Sequence, residues 1–163
     1  MQRIGLAPEG ERGGISEDLP GELGVVLDVW ALAHSIDARS KWMHRTLGIT
    51  APQRLVARVI GLSPGCSPGQ AARRLRLHPA SVTRLVAGLE ASGLVLRERD
   101  RVDQRKLRLS LTASGRKAIA VARGTIEHAT RNAIARTRKR DLAAARAFVQ
   151  ILTAELLPEG ELS

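Results

Sequence analysis

Aromatic side chains are nearly missing from this sequence of 163 residues: Trp30, Trp42 and Phe148 are the whole set, and there is no tyrosine. Modules for single-stranded nucleic acid or RNA stack bases on exposed rings, so the scarcity counts against both. Cysteine is scarce too. Cys66 alone permits no internal disulfide and no thiolate-rich zinc site, as expected of a cytoplasmic protein. The four histidines, His34, His44, His78 and His128, share no metal-ligand spacing with Cys66 or with paired carboxylates, so neither a metal nor another cofactor is expected. No apolar run is long enough for a signal sequence or a spanning helix, which argues against a membrane partner. A glycine loop for phosphate is also lacking. Cys66 with a histidine is the only conceivable nucleophile pair, and nothing supplies a third group to orient it, so an enzyme is not expected.

Positive charge, by contrast, is abundant. The chain has 26 Lys and Arg against 16 Asp and Glu, a formal net charge of +10, with the 44% hydrophobic content of a globular protein. Residues 67–117 hold 12 of these cations against 4 acids, a surplus of 8, whereas the other 112 residues hold 14 against 12. One exposed arginine is ordinary solvated surface. A surplus gathered in one module is the footprint of a polyanion site.

Within that module the local signals spell helix, turn, helix and ribbon. Ser67-Pro68-Gly69-Gln70 combines a hydroxyl N-cap, a proline at the first helical position and an amide that can reach back, and it predicts a helix to about Leu75. A second helix follows from Pro79, with Gly93 just past its end. Val82, Leu85, Val86 and Leu89 recur at helical spacing and leave His78, Ala80, Ser81, Thr83 and Arg84 on other faces. Such a small, polar and basic front suits a helix lying in the major groove of duplex DNA. Ala72 lets the two helices cross closely, with Val82 filling the angle.

After Gly93 the period becomes two. Leu94 and Leu96 alternate with Arg97 and Arg99, and Leu107, Leu109 and Leu111 alternate with Lys106, Arg108 and Ser110, which predicts a hairpin. Its connection, from Asp100 to Arg105, carries Arg101 and Arg105 and suits a wing whose arginine enters the minor groove. Asp103 is spaced to orient Arg105 by a salt bridge. Arg73 and Arg76 join the candidates for contact with DNA.

The rest of the chain is expected to be helical. Residues 1–20 form an acidic, flexible extension. Residues 21–48 hold a long helix with two apolar stripes, Leu23, Val26, Trp30, Ala33 and Asp37 on one and Val25, Val29, Leu32, Ile36 and Met43 on the other, which need the chain's own core and a second subunit as partners. Thr50-Ala51-Pro52-Gln53 starts a shorter helix to about Ile60 and opens the winged helix-turn-helix unit, residues 49–112. Thr112 caps a helix from Ala113 to roughly Arg138, and a last helix runs from Asp141 to Leu157, so that residues 113–157 complete a dimerisation region before a tail at 158–163. A monomeric bundle is the alternative. Trp30 and His34, one turn apart, are candidates for lining a cavity for a small effector, and Arg54 and Arg58 for anchoring an anionic one; core packing and solvated charge are the plainer uses.

The run Leu89-Glu90-Ala91-Ser92-Gly93-Leu94-Val95, the wing Asp103-Gln104-Arg105 and the following Leu111-Thr112-Ala113-Ser114-Gly115-Arg116 resemble the multiple-antibiotic-resistance-regulator (MarR) family over roughly residues 21–157. The resemblance implies a mainly α-helical fold with a two-stranded wing, and a homodimeric transcriptional regulator, usually a repressor, that binds a palindromic operator. By position it makes Ser81, Thr83 and Arg84 the recognition-helix readers, flanked by His78 and Ala80, and Arg105 the wing arginine. It also implies a small, often phenolic or anionic ligand that changes the spacing of two reading heads. Arg76 departs from the pattern, standing in the turn where a small residue is usual, and Gln104 replaces a second basic wing residue. A redox response through Cys66, or a winged helix that docks on protein or on DNA without a specific operator, remain as alternatives.

Overall fold

The computed structural model describes residues 21–100 and 103–157. The expected N-terminal extension, Arg101 and the tail at 158–163 lie outside those residues. Seven helices and one hairpin follow in the order α1 Gly21–Leu47, α2 Ala51–Leu62, α3 Pro68–Leu75, α4 Pro79–Ala91, β1 Val95–Arg99, β2 Leu107–Leu111, α5 Ala113–Ala120, α6 Ile126–Ala135 and α7 Lys139–Leu156. None of the helices is long and apolar enough to cross a membrane.

The short helices begin where hydroxyl caps meet proline. Thr50 Oγ1 accepts from the Gln53 amide at 3.4 Å while Gln53 Oε1 accepts from Thr50 N–H at 3.0 Å. Ser67 and Gln70 repeat the exchange at 3.2 and 2.8 Å. Each pair satisfies two donors that a helix start leaves unpaired. The core then assembles around the crossing of α2, α3 and α4: Val56, Ala57, Ile60, Ala71, Ala72, Val82, Val86 and Leu89 are buried there with Val95, Leu109 and Leu111 of the hairpin. A fully buried valine or leucine stabilises by about 1.5–3 kcal/mol, so this cluster is the main hold on the helix-turn-helix.

The strands pair antiparallel, with Val95 opposite Leu111 and Arg97 opposite Leu109. This corrects the expected facing of the first strand: Val95 points into the core, whereas Leu96 is exposed and Leu94 precedes the strand. Leu94, Val95 and Leu96 are all apolar, so alternation alone could not choose, and pairing with buried Leu109 and Leu111 decides. Arg97 consequently lies partly buried, its guanidinium 3.3 Å from Glu90.

Thr112 joins three elements. Its hydroxyl donates to the Gly93 carbonyl at 2.7 Å and accepts from the Gly115 amide at 2.8 Å, and its own amide donates to Leu94 O at 3.1 Å. The backbone of α5 comes so close to Leu94 that a Cβ on Gly115 would sit 2.0 Å from its carbonyl oxygen.

A second correction concerns the helix expected from Ala113 to Arg138. It is two helices, because the chain turns at Val121–Thr125, where Gly124 has φ +80° and Thr125 caps α6 by accepting from the His128 amide at 3.2 Å. The turn strips the carbonyls of Ala118, Ile119 and Val121 of their helical donors. Arg54 replaces them: Nη1 donates to Ala118 O at 2.7 Å, Nη2 to Ile119 O and Val121 O at 3.0 and 2.6 Å, and Nε to the Glu127 carboxylate at 2.9 Å. On the other side of the elbow, the Trp42 ring of α1 lies against Gly124, leaving no room for a side chain there.

The long helix α1 is found at its expected bounds, but only Met43 of its apolar stripes is buried. Trp30 is 75% exposed, and α7 has no buried residue, with Ile151 and Leu156 at 63% and 68%. Within one chain, neither stripe of α1 is therefore covered by the core as expected.

Burial pushes the Glu127 carboxyl up, but its own backbone N–H, the charge and hydrogen bond of Arg54, and Thr125 together bring it below the ordinary carboxylate value. A group depressed in the folded state stabilises the fold above its unfolded pKa and loses that contribution as pH falls through the folded value. Glu127→Gln is therefore expected to lower stability at neutral pH and to flatten its decline through the carboxylate range, as read by urea denaturation at a series of pH values. Gly124→Ala combines a left-handed backbone with a clash on Trp42 and should cost at least about 2 kcal/mol in the same assay.

Candidate nucleic-acid interface

Pro79 fixes the first turn of α4, and His78 caps it, its Nδ1 accepting from the Ala80 amide at 3.3 Å. With Val82, Val86 and Leu89 fully buried, the helix can present only one front. That front is Ala80, Ser81, Thr83 and Arg84, all exposed. Apart from Arg84 its side chains are small, and hydroxyls next to a guanidinium offer donors and acceptors at the reach of base edges.

His78 was placed among the candidates for contact and is exposed, but its ring nitrogen is engaged in holding the helix start. The S/T/D/N rule for caps hides this use of a histidine.

The turn before α4 is made by Arg76, whose φ of 53° and ψ of 43° lie in the left-handed region, the one non-glycine residue with positive φ among those described. Its amide closes α3 by donating to Arg73 O at 3.3 Å. Such a conformation costs a residue with a Cβ about 1–2 kcal/mol, and glycine is the usual occupant. Arg76 is exposed at the edge of the α4 front, so the strain carries a positive charge to that edge.

At the wing, Asp103 Oδ1 accepts from the Arg105 amide at 3.1 Å, and the other oxygen pairs with Lys106 at 3.2 Å. The expected salt bridge to the Arg105 guanidinium is replaced by this arrangement. Asp103 shapes the turn through the backbone and leaves the Arg105 side chain exposed. Behind it Asp100, nearly buried, forms an ion pair with Arg108 and accepts from the Asp103 amide at 3.1 Å.

Between α3 and the wing lies a cleft of about 410 Å³ lined by Gln70, Arg73, Asp100, Lys106 and Arg108. Lys106 and Arg108 were read from the sequence only as the outward residues of a strand. Arg73, an expected candidate, is exposed beside them. Arg74, also missed, bonds Ser63 Oγ and lines an adjoining cleft of about 340 Å³. The missed signal was the spacing of Lys106, just before β2, and Arg108 within it, which places both toward one side.

The suggested effector residues are not brought together. Arg54 is 1% exposed with its donors committed at the elbow, so its role is structural. Arg58 lies 3.6 Å from the same Glu127, and Trp30 and His34 are exposed on α1. The cleft between α1 and α6, about 320 Å³, is lined by other residues, Leu32, Ile36, Ile126 and Ala133 among them. No group of three His, Cys, Asp or Glu suited to a metal ion occurs among the described residues.

Residues 47–106, which hold α2, the helix-turn-helix, β1 and the wing loop but not β2, match the MarR family. The match is to that segment, a little over a third of the chain. The chain is 41% identical over 90 residues to the HTH-type transcriptional regulator TtmR of Methylorubrum extorquens, covering 54% of this chain and 45% of that protein. It is 34% identical over 83 residues to the transcriptional regulator HosA of Escherichia coli, covering 51% of this chain and 62% of the relative. The chain thus spans about half the length of these curated relatives. Among solved structures it resembles a Staphylococcus aureus MepR–DNA complex with a TM-score of 0.68 at 17% identity, over 80% of this chain and 97% of the other. That likeness supports the fold, mainly α-helical with a two-stranded wing.

Arg76→Gly should relieve the backbone and raise stability by about 1 kcal/mol. The same variant is expected to bind duplex DNA more weakly, so paired denaturation and binding titrations should move in opposite directions.

Proposed function

We propose that this chain is a sequence-specific transcriptional regulator, acting as a repressor, that binds a palindromic operator in duplex DNA as a homodimer. The observation that carries the proposal is the front of α4. Ser81, Thr83 and Arg84 stand exposed on a helix whose other face is locked by Val82, Val86 and Leu89, beside a wing that leaves Arg105 free to reach the adjacent groove. The match of residues 47–106 to the MarR family and the regulator names of the relatives support it.

The homodimer is supported by the uncovered apolar faces of α1 and α7. A second copy is the occupant that buries Val26, Trp30, Leu32, Val149, Ile151 and Leu156 and sets two reading heads on a two-fold axis. A small aromatic or anionic effector that binds better to a different spacing of the heads weakens operator binding by its difference in affinity. Of the suggested effector residues, His34 and Arg58 stay available for that role, whereas Trp30 passes to the dimer contact and Arg54 is committed at the elbow. A redox response through Cys66 gains no support. Burial pushes its thiol up, against the lowering by Arg74 and by a backbone hydrogen bond, and a buried thiol is a poor nucleophile.

Selection of fragmented genomic duplex by the purified protein tests the proposal. A palindrome with half-sites about one helical turn apart is the expected product. Retention of all sequences alike, abolished by modest salt, would leave only an architectural or protein-docking module. Arg84→Ala should cost about 1–3 kcal/mol and relax the preference at one base position, whereas Arg105→Ala should weaken binding through the minor groove.

A further inference from the structure

The near-balance of charge outside residues 67–117 is an average that hides a second cluster. Seven of the 12 acidic residues there come before residue 38, whereas residues 131–140 contain Arg131, Arg136, Arg138, Lys139 and Arg140 with no acid at all. These five close α6, form the turn and open α7, and every one is exposed. Asp141 alone answers them, pairing with Arg138 at 2.6 Å and with Arg140 at 3.3 Å. Among the described residues, Arg131, Arg136 and Lys139 have no ion pair.

The fold places this corner away from the reading head. Gly124, at the end of the elbow just before α6, lies under Trp42, while Ala133 shares a cleft with Leu32 and Ile36. So α6 climbs α1 toward its N-terminus for about 15 Å, whereas α2, α3 and α4 hang from its C-terminal end. A duplex seated on α4 and the wing is at the opposite end of the molecule.

We propose that the α6–α7 corner is a second phosphate-binding surface, which holds the backbone of a separate duplex segment without reading its sequence. Four of the five cations are arginines, whose planar forks match phosphate oxygens in pairs. The turn has no small polar front like that of α4, and the one hydroxyl in it, Thr137, is turned back onto Ala133 O at 2.9 Å. Contacts of this kind position DNA and carry no sequence information. Alone the surface is weak. On a protein already seated at an operator it meets neighbouring DNA at high effective concentration, so that one molecule bridges two segments. This inference rests on the duplex-binding function above for its first step only.

The test uses the full-length protein on an immobilised duplex carrying the selected operator, with a fluorescent duplex of unrelated sequence then offered in solution. The wild type should capture the second duplex. The combined Arg136→Gln, Arg138→Gln, Lys139→Gln and Arg140→Gln variant should capture at least about tenfold less, with its salt slope for the second duplex smaller by roughly 3–4, while its retention on the operator stays within about twofold. No capture by the wild type, or equal capture by the variant, overturns the inference. Uptake of phosphatidylglycerol vesicles in place of duplex overturns it as well, assigning the corner to an anionic membrane. If the wild type fails to stay on the operator, the regulator function has failed on its own. The corner is then measured in an Arg84→Ala, Arg105→Ala background, where residual salt-sensitive binding of unrelated duplex should vanish with the four substitutions; its persistence sinks the inference.

Discussion

Arg54 heads the side chains wholly withdrawn from solvent, and it is charged. A guanidinium in such a place is tolerated only if its donors are met, and here they are met by three backbone carbonyls and a carboxylate. The dependence runs both ways. Without the turn at residues 121–125 those carbonyls would be bonded inside a helix and Arg54 would be stranded; without Arg54 the turn would lose the donors of three carbonyls. An ion pair of this type adds little net stability over a well-packed apolar substitute, but loss of one partner alone costs about 3–5 kcal/mol. What the interaction secures is geometry. It fixes the angle at which α6 leaves the helix-turn-helix, and so where the exposed faces of α1 and α7 stand relative to α4.

That division explains what could be read without coordinates. The starts of α2, α3, α4 and α5 were legible because each is written within four residues, by a hydroxyl or proline and the amide that answers it. The buried side of α4 was legible for the same local reason, helical spacing, and its polar front followed by subtraction. The elbow was not. Its sequence, Val121-Ala122-Arg123-Gly124-Thr125, holds a glycine and a capping threonine, yet one glycine in an alanine-rich run does not break a helix. The decision comes from Arg54, whose carbonyl partners are 64 to 67 residues away. Such a contact leaves no periodic trace.

The wing shows the intermediate case. Its alternation predicted two strands, and both are present, but the facing of the first was set by the partner strand and not by its own pattern. Asp103 and Arg105 were correctly seen as a local pair, although the bond goes to the backbone, where spacing alone cannot distinguish an amide from a guanidinium two residues on. Arg54, Trp30 and Asp103 share a lesson: a charged or aromatic residue advertises an interaction without naming its partner, and only packing does that.

Thr112 bonds the end of α4, the approach to β1 and the start of α5 at once, and the missing side chain of Gly115 seats α5 on the Leu94 carbonyl. With no slack at that joint, α4, the wing and α5 form a single stiff body. The angle at residues 121–125, held by Arg54 on one part of the turn and by Trp42 against Gly124, then sets where that whole body stands. A substitution that altered it by a few degrees would swing the tip of α4 through an arc whose radius is the full depth of the body. The lever arm magnifies an error at the elbow into an error at the tip of α4, so the elbow has to be built to a closer tolerance than the helix it positions.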